Sequence, residues 1–305
     1  MESFRNILVG VDFGEAGSLS AGSRLAVEQA RWIAANERAR VTLLHSTRFD
    51  EYWSVSEGDF SDRMPYEASA ARVALEAARA SLRDAGIEVE IEYSEQRAWL
   101  AIVERVIRSG VDLVLVGKRS DREHDGRLLG SVAQKLVRKC PCAVWVVKPG
   151  APARIARLLA ATDLSPVGDR VVSLAASLAE QWSAELHVVH ALQLPLSVQI
   201  EGPDAERQYT AESRTAAVAE IESRLSPALK KSAELHVGLT SPSRAILECA
   251  DRLKPELVVM GTIARGGVAG LMLGNTAERM LGRLDCSLLT VKPDDFACPI
   301  ELGRT

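Results

Sequence analysis

Apolar and polar positions alternate along this chain on two scales. Short apolar runs, most of them rich in β-branched residues, read as strands: ILVGVD (7–12), VTLLHS (41–46), LVLVG (113–117) and AVWVVKP (143–149). These are apolar almost throughout, as strands buried on both faces of a parallel sheet are. Longer stretches repeat apolar positions at helical spacing. In 23–37, Leu25, Ala26, Ala30, Ile33 and Ala34 share one face. Segments 65–86, 97–110 and 131–139 read the same way, the first ended by Gly86. VEIEYS (89–94) alternates in period two, the mark of an edge strand with one wet face. Strand and helix in strict succession predict an α/β fold with a parallel sheet and right-handed crossovers.

The pattern then runs a second time. ILVGVD is matched by LLAATD (158–163) and VTLLHS by LHVVHA (186–191), at offsets of 151 and 145. LVLVG is matched by LVVMG (257–261), LGS (129–131) by LGN (273–275), and VVKPG (146–150) by TVKPD (290–294), all at an offset of 144. An offset this long means a duplicated domain rather than a solenoid. The boundary falls at Lys148-Pro149-Gly150-Ala151-Pro152. We therefore expect domains at 1–150 and 151–305, each a doubly wound parallel sheet of five strands in the order 3-2-1-4-5.

Composition narrows the function classes. The 305 residues are 47% hydrophobic and 26% charged, ordinary globular usage for two domains. The halves carry 21 basic against 22 acidic and 16 against 19 acidic residues, so neither offers a nucleic acid an electrostatic footprint. No apolar stretch approaches the roughly 18 residues of a membrane span. The start, MESFRNILVGVD, lacks the basic region of a signal peptide, so a cytoplasmic location is expected. Five cysteines, an odd number, argue against a disulfide framework. Cys140-Pro-Cys142 reads as a redox or metal pair or as packing. Packing is favoured because Cys286 stands in the same slot, 144 residues after Cys142.

In an open α/β sheet the ligand crevice lies beyond the carboxyl ends of the strands, where the strand order reverses. Three features converge there in each half. They are an aspartate ending strand one (Asp12, Asp163), a glycine ending strand four (Gly117, Gly261), and Gly130-Ser131 or Gly274-Asn275 opening the next helix. Glycine permits close backbone approach, and a helix N-terminus offers free N–H groups to phosphate. Turn glycines and ordinary N-caps explain the same residues. The loop is neither a Walker A motif nor a GxGxxG fingerprint.

Together, ILVGVD and LLAATDLSP, LVLVGKRS and LVVMGTIA, LLGSVAQKLV and MLGNTAERML, and VVKP and TVKP resemble the universal stress protein family in its tandem form, over nearly the whole chain. The resemblance implies an adenine nucleotide, ATP with Mg²⁺, as the candidate cofactor, with Asp12 and Asp163 reaching its nucleoside end. It also implies that the last strands of the two halves pair as in a dimer of single-domain members. A homodimer of the chain is a further candidate assembly. ATP-binding members carry Gly, two residues, Gly, nine residues, Gly and then Ser or Thr. Here the first half reads Gly117, Ser120, Gly130, Ser131, and the second Gly261, Ala264, Gly274, Asn275. Both lack the second glycine. The first loop holds Lys118, Arg119, Arg122 and Arg127 against Asp121, Glu123 and Asp125; the second holds only Arg265. Cations suit phosphate, which favours the first half, although a solvated, salt-bridged loop explains them equally well.

His187 and His190 lie three apart on one strand and face opposite sides, so they do not chelate together. His45 and His190 share a slot at the end of strand two, and His124 alone is weak for a metal. No metal set, Ser/His/Asp set or GxSxG elbow is signalled. The leading expectation is a stress-response protein that binds adenine nucleotide and acts through conformation or partners. The alternatives are a scaffold or binder of a small apolar or acyl ligand, with segments 47–66 and 192–210 walling a cavity, and an ATP-using enzyme of weak hydrolase activity.

Overall fold

The computed structural model describes residues 4–14, 17–47, 64–118, 131–150, 152, 154–262 and 275–300. The chain divides into two compact units. One runs to Arg154 and takes in the segment from Ala297; the other is Ile155–Phe296.

The first unit contains β1 (Asn6–Val11), α1 (Ala21–Glu37), β2 (Arg40–Ser46), α2 (Met64–Asp84), β3 (Val89–Ser94), α3 (Ala98–Ser109), β4 (Leu113–Gly117), α4 (Ser131–Lys139) and β5 (Ala143–Val147). Its strands run parallel in the order β3-β2-β1-β4-β5. The second unit contains β6 (Arg157–Thr162), α5 (Pro166–Trp182), β7 (Glu185–Leu192), α6 (Leu196–Glu201), α7 (Pro203–Ser223), α8 (Leu229–Ser232), β8 (Glu234–Leu239), α9 (Pro242–Leu253), β9 (Leu257–Gly261), α10 (Asn275–Arg283) and β10 (Ser287–Val291). Its order, β8-β7-β6-β9-β10, is again 3-2-1-4-5. The expected fold class, doubly wound α/β in two copies, is the fold observed.

The all-apolar runs take the middle of each sheet. Ile7, Leu8 and Val9 of β1 and Leu113, Val114 and Leu115 of β4 are fully buried, as are Leu158, Leu159 and Ala160 of β6. The period-two strand β3 ends its unit's sheet order, and its burial alternates only loosely. Helix starts follow local chemistry. Ser20 caps α1 by accepting from Ser23 N, so the helix begins two residues before the periodic apolar stretch. Ser165 caps α5, with Pro166 at its first position. Helix α2 stops at Asp84, and Gly86, at φ +76°, turns the chain into β3.

One device repeats at the amino ends of the strands. Asp112 accepts from Arg5 N at 2.8 Å and Asn6 N at 3.1 Å, and Glu256, 144 residues on, accepts from Ala156 N at 3.2 Å and Arg157 N at 2.6 Å. An acid just before strand four thus ties down the first amides of strand one in both units. Segment 192–210, given above as a candidate cavity wall, contains α6 and the start of α7. Segment 47–66 lies almost wholly outside the described residues.

Candidate functional site

Strand register builds the site. In the first unit Gly10 pairs with Val116, so Asp12 stands level with Lys118, just past the end of β4. In the second, Ala161 pairs with Met260, and Asp163 stands level with Thr262. Strands one and four are where each sheet order reverses, so each aspartate opens on its unit's switch-point crevice. Past the crevice the chain is held alike in both units. Lys118 N donates to Val147 O at 2.7 Å, and Thr262 N donates to Val291 O at 3.1 Å.

Both aspartates are tied to the helix that follows. Asp12 Oδ1 accepts from Ser20 Oγ and, at 2.6 Å, from Ser23 Oγ, while Asp12 N donates to Ser23 Oγ at 2.8 Å. Asp163 Oδ1 accepts from Ser165 Oγ and, at 3.1 Å, from Ser165 N. The routes differ by six residues, since the N-cap comes eight residues after Asp12 but two after Asp163. The longer route in the first unit makes a small excursion: Phe13 bridges Leu19, Gly14 N donates to Ser18 O at 2.8 Å, and Gly17 takes φ +72°. The shorter route forces Leu164 to φ +57°, where Thr162 Oγ1 accepts from its N–H. The serine caps were not part of the sequence expectation. A serine a few residues past a strand-ending aspartate was the available signal.

Gly117 has a packing reason in addition to any ligand. A Cβ there would lie 2.5 Å from the carbonyl carbon of Gly22, because the end of β4 meets the first turn of α1 backbone to backbone. Gly168, on the first turn of α5, meets side chains first: its Cβ would lie 2.6 Å from Thr162 Oγ1 and 2.7 Å from Asp163 Oδ1, with the backbone N of Asp163 at 3.2 Å. Gly261 closes β9 as Gly117 closes β4. Ser131 opens α4 and Asn275 opens α10, as the spacing requires. Ser120, Gly130, Ala264 and Gly274, with the loop cations from Arg119 to Arg127 and Arg265, lie outside the described residues.

The shared histidine slot is real. His45 Nδ1 lies 3.1 Å from Val11 O, and His190 Nδ1 lies 2.9 Å from Thr162 O, each reaching the residue before the aspartate. Burial holds the His45 pKa below its ordinary value, partly opposed by the Val11 carbonyl and Asp12. His45 also meets Phe13 edge-on, with centroids 4.7 Å apart. All five cysteines are free thiols. Cys140 and Cys142 bring their sulfurs to 3.5 Å, and burial raises the Cys142 pKa strongly, which keeps it an inert thiol. Among the described residues, no helix is long and apolar enough to cross a membrane.

Sequence reasoning missed one cluster. His187, dismissed as a partner for His190, meets Glu234 and His236 of the neighbouring strand. The signal was the tetrapeptide ELHV, written at 185–188 and again at 234–237.

The comparisons with known proteins agree with this architecture. The profile of the Universal stress protein family matches residues 3–148 and again 155–292. Universal stress protein E of Escherichia coli K12 is 30% identical over 264 residues, which cover 83% of this chain and 81% of that one. Two solved structures share the fold. A protein of unknown function from Pseudomonas aeruginosa PAO1 superposes with a TM-score of 0.71 at 24% identity, covering 96% of this chain and 94% of its own. A universal stress protein from Archaeoglobus fulgidus DSM 4304 superposes with a TM-score of 0.66 at 18% identity, covering 94% and 98%. With the family profile matched twice along its length and the same parallel strand order in both units, this chain belongs to the universal stress protein family, as a tandem member carrying the domain twice.

Proposed function

We propose that this protein binds an adenine nucleotide, as Mg-ATP, in the switch-point crevice of its first unit, and acts in stress response through conformation or protein partners rather than through turnover. The observation that carries the reading is the register that sets Asp12 of strand one beside the Gly117–Lys118 corner of strand four. A carboxylate is there for the hydroxyls of a sugar, and a backbone corner for the chain of phosphates. Ser131 then opens α4, whose N-terminal N–H groups favour phosphate. Lys118, Arg119, Arg122 and Arg127 add cations along the same loop. The second unit repeats the scaffold with Asp163, Gly261, Ala264, Gly274 and Asn275, but with one loop cation and no hydroxyl after the last glycine. We read it as the weaker site or none. The compartment that suits a nucleotide ligand and five free thiols is the cytoplasm.

Calorimetric titration of the intact chain with Mg-ATP, ADP and AMP tests this. Saturable heat from at least one adenine nucleotide, reduced when Lys118 and Arg119 are both replaced by alanine, supports the reading. No heat with any of them would overturn it. A second reading then takes over, favoured by one feature. Leu196 and Ile200, four apart on α6, are 70% and 77% exposed, and the next helix, α7, borders an open depression lined by Pro203, Ala211 and Leu239 with Glu206, Arg207, Thr210 and Arg214. That surface suits a small apolar ligand or an apolar partner.

A further inference from the structure

Strands β7 and β8 carry the same four residues, Glu-Leu-His-Val. Residues two apart on a strand share a face, so each copy sets an acid and an imidazole side by side. The parallel register pairs His187 with Glu234 and Val189 with His236. Both imidazoles and Glu234 therefore meet on one face, near the amino ends of the strands and away from the crevice. His187 Nδ1 lies 3.2 Å from His236 Nε2 and 3.4 Å from Glu234 Oε2, and His236 Nε2 lies 4.0 Å from that oxygen.

Hydrogen bonds alone serve this cluster poorly. Arg252 Nη2 donates to His236 Nδ1 at 3.0 Å, and a guanidinium cannot accept. The proton of neutral His236 is then on Nε2, aimed at His187 Nδ1, which must accept it. Glu234 Oε2 is left facing an accepting nitrogen with no proton between them. The His187 proton is driven to Nε2, a buried atom with no hydrogen-bond partner, on a side chain only 7% exposed.

A cation uses the same atoms better. A tetrahedral Zn²⁺ with bonds of about 2.0–2.1 Å spaces its ligand atoms roughly 3.3–3.4 Å apart. The His187–Glu234 separation, 3.4 Å, has that value and the His187–His236 separation, 3.2 Å, lies close to it, while the third, 4.0 Å, closes by rotating Glu234, whose side chain is 65% exposed. Two imidazoles and one carboxylate suit zinc and its neighbours rather than magnesium or calcium. Behind His187, Glu185 Oε2 stands 4.0 Å from Nε2 and is itself held by Arg157 Nε at 2.8 Å. That distance is too long for a hydrogen bond, but a rotation of the exposed Glu185 side chain would bring the carboxylate to the second N–H of a ligating His187, where it would orient the ring.

We propose that His187, His236 and Glu234 bind one divalent transition-metal ion, zinc by the donor set, with water in the remaining position. The ion ties the β8 strand to β7. Arg252 opposes it, because His236 ligating through Nε2 must carry its proton on Nδ1, and the guanidinium has to withdraw from that nitrogen.

The test uses the full chain, stripped with chelator and titrated with Zn²⁺ alone by calorimetry, then with Co²⁺ as a spectroscopic reporter of tetrahedral coordination. One equivalent is expected. Loss of a ligand should exceed the 10–100-fold effect of an outer partner, so His236→Gln weakens binding by more than about 100-fold. His187→Gln does the same, and His236→Gln, at a partly exposed position, decides the matter if the buried substitution fails to fold. Arg252→Met tightens binding, which a merely structural histidine pair would not predict. Cys249→Ser, next to Arg252 on α9, leaves binding unchanged. No stoichiometric binding by the native chain, binding that survives His236→Gln, or loss of binding in Cys249→Ser would overturn the proposal.

Discussion

The strand-one aspartates, Asp12 and Asp163, do the same job on different scaffolds. Each offers Oδ1 to the serine that caps the next helix, yet one reaches it through an excursion of eight residues and the other in two. In the first unit two hydroxyls, those of Ser20 and Ser23, share the carboxylate. In the second a single serine, Ser165, supplies both a hydroxyl and an N–H. The first unit also presses strand four onto its first helix through two glycines, whereas Gly168 presses on the tips of Thr162 and Asp163. A duplicated domain has kept the carboxylate and the switch point while changing how the corner is braced. The corner that meets a ligand can diverge without disturbing the buried strands beneath it.

Substitutions that treat the two corners alike should therefore have unequal effects. The largest is expected at the glycine contact. Gly117→Ala sets a Cβ against backbone that cannot rotate away, and should cost about 1–3 kcal/mol, with Gly117→Val worse. Gly168→Ala should cost less, because its two nearest neighbours are side-chain atoms and the backbone N of Asp163 stands farther off, at 3.2 Å. Urea unfolding of the two variants decides this, and a larger loss at Gly168 would break the comparison. Next come the caps. Ser165→Ala should cost about 1 kcal/mol and leave Asp163 held by one backbone N–H alone, while Ser20→Ala should cost less because the Ser23 hydroxyl still holds Asp12. Equal losses would mean that Ser23 braces nothing.

The smallest effect is in pH. Burial holds the folded His45 pKa below the ordinary value of about 6.5. Between those two values the unfolded chain binds the extra proton, so the contribution to stability is full above about pH 6.5 and declines as the pH falls below it. His45→Gln should flatten that part of the stability profile. An unchanged acid limb would remove His45 from the account.

The fold was legible because burial on both faces of a parallel sheet writes itself as uninterrupted apolar runs. Ile7–Val9 and Leu113–Leu115 could be nothing else, and their repetition gave the duplication. Asp12, Asp163, Gly117 and Gly261 were legible as strand ends. The reason for Gly117 was not, because its partner, Gly22, lies 95 residues away and is revealed only by the packing of α1 on β4. The helices within 192–210 were hidden by weak periodicity, since α6 buries none of its residues. His187 and His236 were missed for a related reason. Reading one strand at a time compares residues three apart, whereas the sheet joins residues 49 apart through register.

One of the two similar corners, that of the first unit, is proposed to hold a nucleotide. Native mass spectrometry of the intact chain with Mg-ATP tests it most directly, with Gly130→Val and Gly274→Val as mirrored variants. A mass increment of one ATP per chain is expected, lost in Gly130→Val and kept in Gly274→Val. No increment, two increments, or loss only in Gly274→Val would contradict it.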